Sequence, residues 1–258
     1  MREYVESAVL GGGRPRMPDT PERSRLERER GIREVIFGMQ DGVLTTLGIV
    51  TGVGAAQPER ATILLTGLVA LIVGTISMGV GEYLGGKSER EVVRNAIRLE
   101  QREMIEKPED EFLEQVAYYR LKGFTADEAV MIVKRLATNP EVWLHEMMRD
   151  EFGIDPRIAE GGGASAAFAM GGSFAGGAIV PLIGYLFPLP YGVSLAIGIA
   201  LASLGLFAIG AFAGRLSNRN PFIKGAELFG YGALVFCVSF AAGRFIPALF
   251  GHAPVSAQ

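Results

Sequence analysis

Apolar residues gather into five long blocks along this chain, at about residues 34 to 56, 62 to 86, 164 to 187, 191 to 214 and 225 to 250. Each block is long enough for the roughly 20 helical residues that cross a bilayer core of about 30 Å. Core helices of a soluble domain would be shorter and fewer. Pro58, Pro188, Pro190 and Pro221 stand between blocks, where a helix has to stop. The pattern predicts an all-α polytopic membrane protein with five spans.

Between spans two and three the pattern changes for about 75 residues, too many for a connection that does not fold. No glycine or proline falls between Gly86 and Pro108, so span two is expected to continue out of the membrane as one helix. A helix over Glu109 to Lys122 should end at Gly123, and Thr125 with Glu128 makes a capping box for the next. Asn139 and Pro140 supply an N-cap and a first-turn proline for a last helix reaching about Phe152. The predicted division is an N-terminal tail (1–32), spans one and two (33–86), a cytoplasmic helical domain (87–160), spans three to five (161–251) and a C-terminal tail (252–258).

Composition agrees with a membrane class: 49% of residues are hydrophobic and 35 are glycine. The net charge of −3 hides segregation, since Gly162 to Gly214 holds no charge while Lys87 to Glu160 is crowded with them. Cys237 stands alone, which excludes a disulfide framework and a cysteine metal cluster. The first thirty residues lack the apolar core of a secretory signal. They read as a flexible tail with a solvated charge run at Glu22 to Arg30. Nothing points to nucleic acid.

Lys and Arg flanking the spans set the expected orientation. Arg23 to Arg33 precede span one, Lys87 to Arg98 follow span two, and Arg215, Arg219 and Lys224 join spans four and five. These regions are expected in the cytoplasm, with the C-terminus outside and Arg244 snorkelling outward. Glycines four apart, Gly38 with Gly42 and Gly48 with Gly52, make span one a candidate seam for self-association.

Two groups of residues carry candidate chemistry. In the charged insert, Glu100 and Glu103 are three apart, as are Glu111 and Glu114, and each pair shares a helix face. Met147, Met148 and Glu151 add thioethers and another carboxylate. Oxygen with soft sulfur suits later divalent metals such as Fe2+. A solvated acidic face with methionine as core filler is the competing reading. His145 and Glu146 are further candidates. In the membrane, Asp41 lies about 10 Å below the cytoplasmic surface by helical rise, and Met78 on span two reaches a similar depth. A charge there is costly and normally faces a partner or a wet path. Glu82, one turn from Met78, either extends that path or sits at the interface with Tyr83. Glu227 is placed to pair with Lys224 or to carry protons.

Several of these residues together resemble the vacuolar iron transporter family. They are Phe37 to Gly42, Ile76 to Gly79, Gly81 to Tyr83, Lys87 to Glu89, Asn139 and Pro140, Met147 and Met148, and Pro181 and Leu182. The resemblance implies a homodimer in the bilayer that exports Fe2+ from the cytoplasm in exchange for protons, with Mn2+, Co2+ and Zn2+ as further candidate cargo. It implies metal ligands at Glu100, Glu103, Glu111, Glu114, Glu151, Met147 and Met148, and a translocation pair at Asp41 and Met78. Plant members carry an acidic residue in the first half of span two, where this chain has Ala70, so Glu82 is the expected substitute. The membrane would be the cell membrane in a prokaryote or the vacuolar membrane in a plant or fungus. Rival readings are a manganese exporter, a non-transporting metal sensor, and a membrane-anchored ferritin-like oxidase. The last wants Glu-x-x-His pairs, which neither His145 nor His252 provides.

Overall fold

The computed structural model describes residues 21–156, 158 and 163–249, with side chains from residue 31 onward except at 248. The expected N-terminal tail is thus described only from Pro21, and the C-terminal tail at 252–258 lies outside the described residues. Every regular element among the described residues is helical: α1 (Pro21–Ala56), α2 (Arg60–Glu106), α3 (Pro108–Leu121), α4 (Ala126–Leu136), α5 (Pro140–Glu151), α6 (Ala164–Ala178), a 3-10 turn (Val180–Leu182), α7 (Ile183–Leu186), α8 (Tyr191–Leu216) and α9 (Pro221–Leu249). Five segments are long and apolar enough to cross a membrane. α1 begins earlier than its apolar block, because the charge run before Gly31 contains no helix breaker after Pro21.

α2 is 47 residues long. At 1.5 Å per residue it rises about 70 Å, more than twice a bilayer core. Its apolar half carries Leu65, Val69, Ile72, Val73 and Ile76 exposed. Such a row suits lipid and would be a liability in water. Span three, expected as one helix over 164 to 187, is instead broken. Pro181 lacks an N–H and its ring opposes the preceding turn, so α6 gives way to the 3-10 turn before α7.

The chain divides into two compact units, one holding the spans up to Val80 and from Ala166, the other Gly81–Ser165. In the first, α1 is central. Its Val43 and Leu47 are buried with Ala202 and Leu206 of α8 and Leu228 of α9. One turn on, Val50 is buried with Ile63 of α2, Leu182 and Tyr185. Glycines let these helices approach to backbone contact. A Cβ at Gly42 would lie 2.8 Å from the Ala178 nitrogen, and one at Gly177 would collide with the Met39 carbonyl. The glycines of α1 are therefore spent inside the protomer: Gly38 and Gly42 face α6, and Gly48 and Gly52 face Ser239 of α9. Their spacing of four is thus used for close packing against α6 and α9 within the chain.

In the second unit, α3 and α4 bury Val116, Ala129 and Val133 together, and α5 packs on both helices. The local signals are met as spaced. Gly123 takes φ +99°, the Thr125 hydroxyl and Glu128 carboxylate cap each other's backbone, and Asn139 accepts from the Glu141 and Val142 amides.

The glycine contacts carry a test. Gly177→Val forces a branched side chain into the Met39 carbonyl, and overpacking of this kind costs about 1–3 kcal/mol. The detergent-solubilised protein should melt roughly 2–10 °C lower in a thermal-shift assay. Gly205→Ala, at a helical glycine with nothing within 4 Å, should leave the melting point unchanged or slightly higher.

Candidate metal site

The acidic faces of α2, α3 and α5 meet. Glu100 of α2 is 1% exposed and Glu111 of α3 is 7% exposed, a depth at which lone carboxylates are seldom found. α5 adds Met147 and Met148, both fully buried, and Glu151. Glu103 is half-buried, while Glu114 and Glu151 lie at the rim.

Electrostatics shows which of these are neighbours. Burial pushes the Glu100 carboxyl up to about 8, reinforced by the charges of Glu151, Glu111 and Glu103 and by a hydrogen bond with Glu111. Glu111 is raised by burial and then by Glu114 and Glu103, and Glu151 is raised by burial and then by Glu114, Glu111 and Glu103. The bonds to Glu100 act oppositely on its partners, lowering Glu111 and Glu151. A neutral Glu100, with a single O–H to offer Glu111 and Glu151, accounts for the signs. One proton thus holds together a cluster whose charges would otherwise repel.

Glu100 Oε1 is buried with no hydrogen-bond partner. The cluster is a set of neighbours short of a closed shell. Among the described residues, no three carboxylate, imidazole or thiol groups stand close enough to hold an ion without side-chain movement. Chemically it offers anionic oxygens from three helices, Glu100 and Glu111 buried and Glu114 and Glu151 at the rim, and two buried soft sulfurs on α5.

A polar frame surrounds these residues that spacing alone did not reveal. Asp150, beside Glu151, is held by Lys122 Nζ at 2.6 Å and accepts from Gln115 Nε2 at 2.7 Å. The Tyr118 phenol, raised by burial and by the charges of Glu114 and Glu151, hydrogen-bonds Glu114. The available sequence signal was that Gln115 and Tyr118 follow Glu111 and Glu114 by one helical turn. His145 lies 3.7 Å from Asp155, and Glu146 lies 3.6 Å from Arg149.

In the membrane unit, Asp41 is half-buried at one end of a groove of about 730 Å³ between α1 and α9. The groove runs past Thr45, Gly48 and Gly52 of α1 and Ser239 and Gly243 of α9. Met78 is half-buried on α2 and is not among the residues lining it. Glu82 is half-buried on α2 within the second unit. Lys224 and Glu227 pair at 2.6 Å near the start of α9.

Comparison with known proteins places this architecture. Vacuolar iron transporter 1 of Oryza sativa subsp. japonica is 29% identical over 252 residues, covering 93% of this chain and 98% of the relative. Vacuolar iron transporter 1 of Arabidopsis thaliana is 27% identical over 219 residues, covering 83% and 86%. Protein CCC1 of Saccharomyces cerevisiae is 28% identical over 190 residues, covering 73% of this chain and 58% of its own. The profile described as VIT family matches residues 32–244. With five helices fit to span a membrane and a match over most of its length, the chain belongs to the VIT family of membrane transporters.

Proposed function

We propose that this protein carries Fe2+ out of the cytoplasm in exchange for protons. The observation that supports this best is the convergence of Glu100, Glu103, Glu111, Glu114 and Glu151 from three helices, with Met147 and Met148 buried on the same helix as Glu151. A divalent cation relieves their repulsion more fully than a proton does, and sulfur tilts the preference from calcium or magnesium towards Fe2+, with Mn2+, Co2+ and Zn2+ as competitors. The names of the plant relatives support iron as cargo.

In this reading the second unit faces the cytoplasm, as the Lys and Arg flanking the spans favour, and captures metal there. Metal then passes to Asp41, Met78 and Glu82. Asp41 supports the membrane step because a carboxylate at that depth needs a partner or water, and the groove beside it offers a way along α1. A carboxylate cannot ligate metal and stay protonated, so proton binding opposes metal binding and couples the two fluxes. The protein works as a homodimer in the bilayer, with its N-terminus inside and its C-terminus on the far side.

Two measurements test this. The folded Glu100 carboxyl sits well above its unfolded value of 4.5, so its contribution to stability is complete below that pH and is lost as pH rises through about 8. Metal-free protein should therefore melt lower at pH 8.5 than at pH 6. Added Mn2+ should restore stability most at the higher pH, where no proton has to leave. Glu100→Gln should flatten this pH dependence and weaken Mn2+ binding by more than about tenfold, read by calorimetry.

For the membrane step, Asp41→Ala should cut initial Fe2+ flux into proteoliposomes under a pH gradient by at least about tenfold, while Mn2+ binding to the acidic cluster stays at the wild-type level. Undiminished flux would remove Asp41 from the path.

A further inference from the structure

We infer that Gln115 is an additional, neutral metal ligand, lending its side-chain carbonyl oxygen to the ion held at the Glu100 and Glu111 cluster and favouring oxygen-rich six-coordinate ions over Zn2+. The inference rests on the metal-binding reading above and adds to it a residue and a selectivity.

Gln115 is 1% exposed, one helical turn beyond Glu111 on the buried face of α3 and next in sequence to Glu114. Its amide orientation is fixed by its partner. Asp150 is a carboxylate that only accepts, so the nitrogen must point at it, across 2.7 Å. Lys122, 2.6 Å from both Asp150 oxygens, keeps that carboxylate charged and in place. The carbonyl oxygen is thereby turned away from Asp150. It is buried with no donor from the protein. A second buried oxygen, Glu100 Oε1, is likewise without a partner.

Buried oxygens are almost always satisfied, and an unsatisfied one lowers stability. A buried aliphatic side chain would avoid that loss, so glutamine here needs another compensation. A cation drawn in by the Glu100 and Glu111 carboxylates would provide it for the Gln115 oxygen, which lies one helical turn beyond Glu111 on the buried face of α3. The Asp150 bond also ties α3 to α5 immediately beside Glu151, which places the amide between the two ligand-bearing helices.

The chemistry follows from the charge count. The surrounding carboxylates already exceed the charge of one divalent ion, so a further anionic ligand would add repulsion, while an ion held at Glu100 and Glu111 still has open places in a six-coordinate shell. An amide oxygen adds a coordination bond without charge. Zn2+ closes its shell with about four ligands, whereas larger divalent ions accept about six or more and tolerate neutral oxygens. Asp150 is kept from ligating by the same frame, because Lys122 and Gln115 occupy its oxygens.

The test uses the full-length protein in detergent, titrated with Mn2+ alone and Zn2+ alone, with circular dichroism melting to confirm folding. Gln115→Leu should lower Mn2+ affinity about tenfold and Zn2+ affinity by much less. Asp150→Ala removes the same hydrogen bond but keeps the carbonyl oxygen, and should cost Mn2+ affinity distinctly less. Equal losses in the two variants would make Gln115 a strut and overturn the inference, as would unchanged Mn2+ affinity in Gln115→Leu. If the wild-type protein shows no saturable Mn2+ or Zn2+ binding, the metal-carrying reading falls first and takes this one with it.

Discussion

Like charges brought out of water on three separate helices dominate the second unit. Burying Glu100 beside Glu103, Glu111 and Glu151 raises the cost of ionising it, and the outcome is a carboxyl that holds its proton to about pH 8. A carboxylate cluster in this state has two ways to lower its energy, a shared proton or a bound cation. Both act on the same oxygens, so they exclude each other. In the proposed function, proton and metal would thus compete before any membrane step, and the proposed coupling would have its physical origin there.

The rest of the unit can be understood as support for that crowding. Burial of Val116, Ala129 and Val133 between α3 and α4 supplies apolar stabilisation away from the charges. Lys122 and Gln115 pin Asp150, a further acid on α5. Without that frame, Asp150 would add its charge to a site that already has an excess. The N-caps at Thr125 and Asn139 start α4 and α5. These are ordinary local devices, and their combined result is a strained arrangement of charge held by unstrained backbone.

The membrane unit follows a different economy. Lipid offers no hydrophobic drive for helices to associate, so close packing and backbone contact have to supply it. Gly42 against α6 and Gly52 against Gly243 of α9 are the visible form of this. Asp41 sits one residue from Gly42, where α1 is gripped by α6 on one face and borders the groove to α9 on another. A tightly held helix is a suitable carrier for a charge whose position in the bilayer has to be fixed.

Read alone, the sequence determined everything that depends on near neighbours in the chain: five apolar blocks, the uninterrupted α2, the capping box at Thr125 and Glu128, and the pairing of carboxylates on single helix faces. Helical periodicity and turn chemistry are local, so they are legible residue by residue. It also carried the family resemblance, through short motifs scattered from Phe37 to Leu182. It did not determine the break at Pro181, because a proline inside an apolar block may be tolerated or may end the helix according to what packs around it. Nor did it settle which helices of the chain the α1 glycines face, since spacing of four allows any close partner and only packing brings α6 and α9 against them. The burial of Glu100, its neighbours on α3 and α5, and the Lys122–Asp150–Gln115 frame were decided by tertiary structure alone. They arise between residues far apart in sequence, and the energy that makes them matter, desolvation of charge, exists only once the helices have closed around it.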